Sequence, residues 1–419
     1  MDYNNIIQKT VHPTLNNLPI IFNRAKGAFL YDINNKKYID FMNGKGALIL
    51  GHNPEKLNSE IVDFIILGSD VRSGFTEVIF NLGNQIKEVL PYNKIGYFKT
   101  GTEAVKAAVF CAKTFNNKKI ILSSGYHGYD PFWYFLGKLG KANKYGIIDF
   151  FFDLSLLEKL LERYKTEISA IIISPDPLYL KKEWFAKLKV LLKENKDILL
   201  IVDEVKVGFR YNFGLYVHNY GINPDIAIIS KSIANGFPIS ILVGNNEFMQ
   251  GCNALNYTCF FDSIAFFVAS QVITILSEKN FYKKLNQTSM NTIEIINNLL
   301  QQFELPIIIK HNGSIFQFIF PDERTSNIFF NKCPEYGLVF YPGDNQCISY
   351  AFEDEKLTID LIQNFTNLFE DIKKTGYFNK NKKPNLEWEI KTAWNLMDGF
   401  PDIKIPYKLK NRVFKELMT

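Results

Sequence analysis

Cysteine is scarce in this chain: five among 419 residues, an odd number, and scattered. Cys111, Cys252, Cys259, Cys333 and Cys347 show no metal-ligand spacing, so neither a disulfide framework nor a metal site is expected. Thiols used this sparingly suit a reducing compartment. The polar start MDYNNIIQKT lacks the apolar stretch of a secretory signal. Long hydrophobic runs are missing too. The longest, Ile264 to Leu276, is broken by Ser270 and Gln271 and is too short to cross a bilayer. Charge of one sign is thin as well. The formal net charge of +5 is spread out, apart from Lys380, Lys382 and Lys383, and offers no dense basic stripe for nucleic acid. The expectation is a soluble cytoplasmic protein that works on neither nucleic acid nor membrane. What the chain does have is a 47% hydrophobic and 22% charged composition, enough for one large core or two smaller ones.

Several short apolar runs alternate with helix-like segments. KIIL (119–122), AIIIS (170–174), LLIVD (199–203) and IAIIS (226–230) carry β-branched residues without polar alternation. Such runs suit strands covered on both faces, as in a parallel sheet. SLLEKLLERYK and EWFAKLKVLLKENK between them have amphipathic spacing. The alternation predicts an α/β domain with right-handed crossovers. Outside it the pattern changes. Residues 28–41 read as a hairpin turned by DINNKK. After about residue 265 a helical stretch leads into SIFQFIF, GLVFYP and CISYAF, then a helix near 356–374. The two ends of the chain together suggest a smaller α+β unit. Trp388 and Trp394, in the last forty residues, suggest a tail docked on the body.

Four segments stand after predicted strands. In FKTGTEAVKAAVFCAKTF a strand ends at Phe98 and Gly101-Thr102 open a helix, with Ala104, Ala108, Cys111, Ala112 and Phe115 on one face. Free N–H groups at a helix start can seat a phosphate, although the same pair can be a plain N-cap. In SGYHGYD, Tyr126 and His127 stand between two glycines, where packing roles are also open. In LLIVDEVKVGFR a buried strand ends on two carboxylates, Asp203 and Glu204. A carboxylate at the carboxyl edge of a parallel sheet faces the ligand crevice. In IAIISKSIANGFP another strand ends on Ser230-Lys231, and a desolvated lysine favours its neutral, nucleophilic form. Phosphate seat, aromatic, carboxylate and lysine together match the needs of pyridoxal phosphate: an amine for its aldehyde, an acid for its ring nitrogen, and an anion site.

At these segments the sequence resembles the class-III pyridoxal-phosphate aminotransferases, in particular their glutamate-1-semialdehyde 2,1-aminomutase-like branch. KTGTEAVKAA is similar to the family's NSGTEA segment, GYHGYD to its YHG turn, and LLIVDEVKVGFR to its DEVxTGFR strand. PDIAIISKSIANGFPIS resembles the lysine segment, and KGAFLYDINNKKYIDF and GLVFYPGDNQCISYAFEDE resemble its early and late segments. The likeness runs in order from about residue 25 to 375.

The resemblance implies a fold-type I transferase, α/β in class: a large domain around a mainly parallel seven-stranded sheet and a small α+β domain. Its divisions would be 1–45 (a segment joining the small domain), 46–262 (large), 263–378 (small) and 379–419 (an extension). It implies a Schiff base on Lys231, with Asp203 at the ring nitrogen, Tyr126 and Val205 on the two ring faces, and His127 in the same turn. Gly101 and Thr102 would bind the phosphate, and Thr258 would reach the phosphate of a neighbouring subunit in a homodimer. The implied activity is transfer of an amino group from an amino-acid donor to an aldehyde or ketone, with Lys231, Asp203 and Tyr126 catalytic. A 2,1-aminomutase is the alternative, and a retired scaffold serving binding or regulation is a third reading.

The chain also departs from the family. Ser174 stands where a glutamate is usual, Lys206 replaces Gln or Met beside Asp203, and Lys99 replaces an asparagine. FFDS (260–263) replaces Ser-Gly-Asn-Pro, and no arginine in VHPTLNNLPIIF matches the aminomutase's substrate arginine. These losses disfavour glutamate-1-semialdehyde as substrate. Lys206 has three open roles: partner of the cofactor's phenolic oxygen, contact for an anionic substrate, or a lysine reaching solvent.

Overall fold

The computed structural model describes residues 20–130, 133, 140–376, 378 and 381–385. The tail tryptophans Trp388 and Trp394, the first nineteen residues and most of the segment after the YHG turn lie outside them.

The expected runs are strands of one seven-stranded sheet. In chain order the sheet contains β4 (Lys94–Phe98), β5 (Ile120–Ser124), β6 (Ile147–Asp149), β7 (Ile168–Ile173), β8 (Leu199–Glu204), β9 (Ile226–Ile229) and β10 (Ser240–Gly244), ordered β4-β10-β9-β8-β7-β5-β6 in space. β5, β7, β8, β9 and β10 are buried along their whole lengths, which is why their sequences are continuously apolar. β10 is antiparallel to both β4 and β9; every other pairing is parallel. Neither β6 nor β10 stood out in the sequence, being a short edge and a run hidden behind the lysine segment. Because β4 is antiparallel to β10, and β10 to β9, β4 runs with the parallel strands. The ends at Phe98, Ser124, Ile173, Glu204 and Ile229 therefore share one edge. Register places Asp203 opposite Ile228 and Glu204 opposite Ile229, two residues before Lys231.

The early hairpin forms as read: β2 (Phe29–Asp32) pairs antiparallel with β3 (Lys37–Asp40). Its turn is fixed by Asp32 Oδ1, which accepts from the N–H groups of Asn34 and Lys36. β1 (Phe22–Lys26) adds to one side, and β13 (Leu338–Val339) pairs parallel with β3 on the other. The two ends of the chain thus share a sheet. A further sheet of β11 (Ile308–Asn312), β12 (Ile315–Ile319) and β14 (Gln346–Cys347) completes the small unit.

The helix Ser263–Leu276 falls on the small-domain side of the expected boundary at 263. Yet its Ala265, Phe266, Val268, Ala269, Val272 and Leu276 lie in the core of the large sheet. The following helix, Phe281–Gln302, places Phe281 and Leu285 in that core and Ile293, Ile296 and Leu300 in the small one. This long helix therefore contributes side chains to both cores. Phe115 does not continue the buried alanine face: its ring is exposed and meets Phe248 edge-on. Among the described residues no helix is long and apolar enough to cross a membrane.

Candidate active site

The helix Gly101–Asn116 starts directly after β4. Thr100 caps it through a reciprocal pair: its Oγ1 accepts from the Glu103 N–H, and the Glu103 carboxylate accepts from the Thr100 N–H. The cap satisfies Glu103 and leaves the N–H groups of Gly101 and Thr102 with no intrahelical partner, at the positive end of the helix. A Cβ on Gly101 would come within 2.9 Å of Val205, so the helix start packs directly on the turn after β8. A Cβ on Gly128, whose φ is +97°, would strike Thr102 Oγ1. Glycine at both positions lets three loops meet in one cradle.

The two carboxylates ending β8 separate by function. Asp203, almost fully buried, has Oδ1 accepting from the Val205 N–H and Oδ2 facing His127 Nδ1 at 3.0 Å. His127 is buried beside Trp133, and its Nε2 has no hydrogen-bond partner among the described residues. Glu204 faces the opposite way and accepts from the N–H groups of Tyr216 and Val217, at 2.6 and 2.9 Å, capping a short helix. Burial pushes the Glu204 carboxyl up to about 8 against those two bonds and is reinforced by the charge of Asp203. One acid is aimed at the sheet edge, and its neighbour is architecture.

Lys231 follows β9 with φ +46°, a left-handed conformation that costs a lysine on the order of 1–3 kcal/mol. The turn is anchored by Ser230, whose Oγ donates to the Ile239 carbonyl and accepts from Ser240 Oγ. Burial pushes the Lys231 ammonium down to about 8, and the charge of Lys206 adds to the effect; Asp344, Cys347 and Asp203 oppose it. Burial thus brings Lys231 closer to its neutral, nucleophilic form near neutral pH than a free lysine.

Of the remaining expected residues, Val205 is partly buried against the Gly101 turn, while Tyr126 is exposed next to His127. Thr258 is exposed in a turn held by Tyr257, whose hydroxyl donates to the Tyr97 carbonyl at 2.9 Å. No bond joins Thr258 to Gly101, Thr102 or Lys231 within the chain among the described residues. Lys99 pairs with Asp262, which Arg72 also approaches at 3.5 Å.

Lys206 is partly exposed, but its ammonium is engaged by an acid. Its Nζ lies 3.0 Å from Asp344 Oδ1, and its pairing with Asp344 outweighs burial, so that its ammonium is held above the ordinary range. Asp344 and the Gln346 that braces its loop escaped the sequence reading. They lie 138 and more residues from Lys206, and an aspartate in a PGDN turn looks like turn chemistry.

A family model for class-III aminotransferases matches residues 10–145 and 153–372. The chain belongs to this family. Glutamate-1-semialdehyde 2,1-aminomutase of Francisella philomiragia is 28% identical over 393 residues, covering 83% of this chain and 90% of that protein. The 2'-deamino-2'-hydroxyneamine transaminase of Streptomyces kanamyceticus is 24% identical over 361 residues, covering 84% and 91%. In fold, the chain is similar to FumI of Sphingopyxis sp. MTA144, solved as a pyridoxal-phosphate internal aldimine, with TM-score 0.76 and 20% identity over 87% of this chain and 91% of that one. The protein is a pyridoxal-phosphate-dependent class-III aminotransferase of fold type I, which moves an amino group from an amino-acid donor to a carbonyl acceptor.

The cradle fits that cofactor. It offers free N–H groups for a phosphate, a buried carboxylate held by a histidine for a ring nitrogen, and a strained lysine part-way to neutral.

Proposed function

We propose that this aminotransferase works through Lys231, with Asp203 and the Gly101-Thr102 turn holding the cofactor between them. The observation that carries this reading is the strained, desolvated Lys231 at the same sheet edge as the buried Asp203–His127 pair. Pyridoxal phosphate, when bound, supplies an aldehyde that condenses with amines and a ring that takes up electrons from a broken C–H bond. Lys231 would be the residue that holds the cofactor's aldehyde, and its amine, when not so engaged, would serve as the base and acid that moves a proton at the substrate carbon. Asp203 would hold the ring nitrogen protonated, with His127, 3.0 Å from Oδ2, fixing the plane of that carboxylate. Val205 and Tyr126 would flank the ring, and the N–H groups of Gly101 and Thr102 would take the phosphate.

The active unit in this reading is a homodimer. Ile66 and Leu67 are 76% and 79% exposed, and the exposed rings of Phe75 and Phe80 lie 6.1 Å apart. Phe75 meets Phe261, Phe261 meets Phe260, and Phe260 meets Tyr257. This aromatic path leads from an uncovered apolar face to the turn of Thr258. A second copy covering the face would bring Thr258 to its partner's phosphate turn. Five free cysteines, two of them (Cys111 and Cys252) with sulfurs 3.3 Å apart, suit a cytoplasmic location.

The test is incubation of purified protein with panels of amino donors and carbonyl acceptors, read by mass spectrometry. Paired products, a keto acid from the donor and an amine from the acceptor, are expected. Conversion of a single compound with no second substrate would show the aminomutase reaction instead.

A further inference from the structure

Lys206 stands three residues after Asp203, and its charge is the strongest of those acting on Lys231. A bare ammonium there would grip an anionic substrate. The structure masks it. The loop 341–345 is cross-braced by the buried Gln346, whose Nε2 donates to the carbonyls of Tyr341 and Asp344 at 2.6 and 2.8 Å. Gln346 Oε1 accepts from the Tyr341 N–H at 3.0 Å. A loop held by three bonds from one side chain has little freedom, so Asp344 is presented rather than drawn in by chance. Its Oδ1 takes both Lys206 Nζ and the Asn345 N–H, and the side chain remains 42% exposed. A second acid, Asp176 in the turn after β7, senses both Lys206 and Asp344. Among the described residues, the two arginines with buried or acid partners are already committed. Arg210 is buried with its guanidinium given to Ser314 Oγ and the Gly46 carbonyl, and Arg72 is committed to Asp70 and Asp262.

We propose that Asp344 is a specificity-determining residue, masking Lys206 so that the site takes a neutral or amine-bearing carbonyl compound and turns away one with an anionic group near its carbonyl. The inference rests on the Lys231 site proposed above. Like charge repels: a carboxylate entering beside Asp344 meets an acid whose cation is already engaged. A hydroxyl or ammonium meets an exposed acceptor.

The experiment uses succinate, an unreactive dianion, titrated calorimetrically into the cofactor-loaded protein, alongside turnover of two aldehydes of matched length. Succinic semialdehyde is the anionic one and 4-hydroxybutanal the neutral one. Asp344→Asn keeps the shape and can still accept from the Asn345 N–H. It should bind succinate at least about tenfold more tightly than wild type and raise the anionic-to-neutral ratio of kcat/KM by a similar factor, modest beside the attraction of one partly buried charge pair. Adding Lys206→Met to it should return both to the wild-type level, and Asp344→Ser should repeat the Asn result should Asp344→Asn fold poorly. Wild type that already binds succinate as tightly as Asp344→Asn, or a double variant that keeps the gain, overturns the proposal. Calorimetry decides this even if neither aldehyde is turned over, so failure of the inference and failure of the Lys231 site read differently.

Discussion

The carboxyl edge of the large sheet and the core of the small unit are built on opposite terms. The small core is dry and aromatic. Phe41 stacks on Phe340 at 4.7 Å and meets Phe316, Phe352 and Phe365, all of them buried. The sheet edge carries a lysine in a strained conformation, a buried carboxylate, a histidine nitrogen without a partner among the described residues and a helix start whose first N–H groups have no intrahelical partner. Burial in the small core is stabilising nearly everywhere, whereas the edge gives up stability to keep charged groups poised. Conformational strain and desolvation gather where the chemistry is, and the rings that hold the chain ends together gather elsewhere.

If that division is right, each region breaks differently. The largest rate effect falls at the edge. Asp203→Asn should keep the melting temperature close to wild type and lower transamination by on the order of 10²-fold or more, since an amide cannot hold a ring nitrogen protonated. Steady-state kinetics and thermal melting measured together check this, and near-normal turnover would make Asp203 a mere strand end. In the small core Phe41→Ala should cost about 3–5 kcal/mol of stability, read by denaturant unfolding, because it leaves a cavity under four other rings. Glu204 sharpens the comparison, because it adjoins Asp203 in sequence but belongs to the scaffold. Glu204→Gln should lower stability by about 1–3 kcal/mol, since an amide accepts only one of the two N–H bonds well. Cofactor absorbance should stay unchanged.

The same division sets what could be read from the sequence. Continuous β-branched runs revealed β5, β7, β8 and β9, because burial on both faces leaves a local signature. β10 and the packing of the helix Ser263–Leu276 were not legible: which core an apolar helix joins depends on partners far away in the chain. Lys231, His127 and Gly101 each follow a strand and Asp203 lies at the end of one, so the strand pattern alone placed them toward one edge. Asp344 was not legible. Its meaning comes from Lys206, 138 residues away in the chain, and from the Gln346 side chain that holds its loop.

The most direct test of the account is to reduce the cofactor-loaded enzyme with borohydride, digest it and locate the modified lysine by mass spectrometry. The label should lie on Lys231, with none recovered after Lys231→Ala. A label on Lys206 or Lys99 would contradict the central claim.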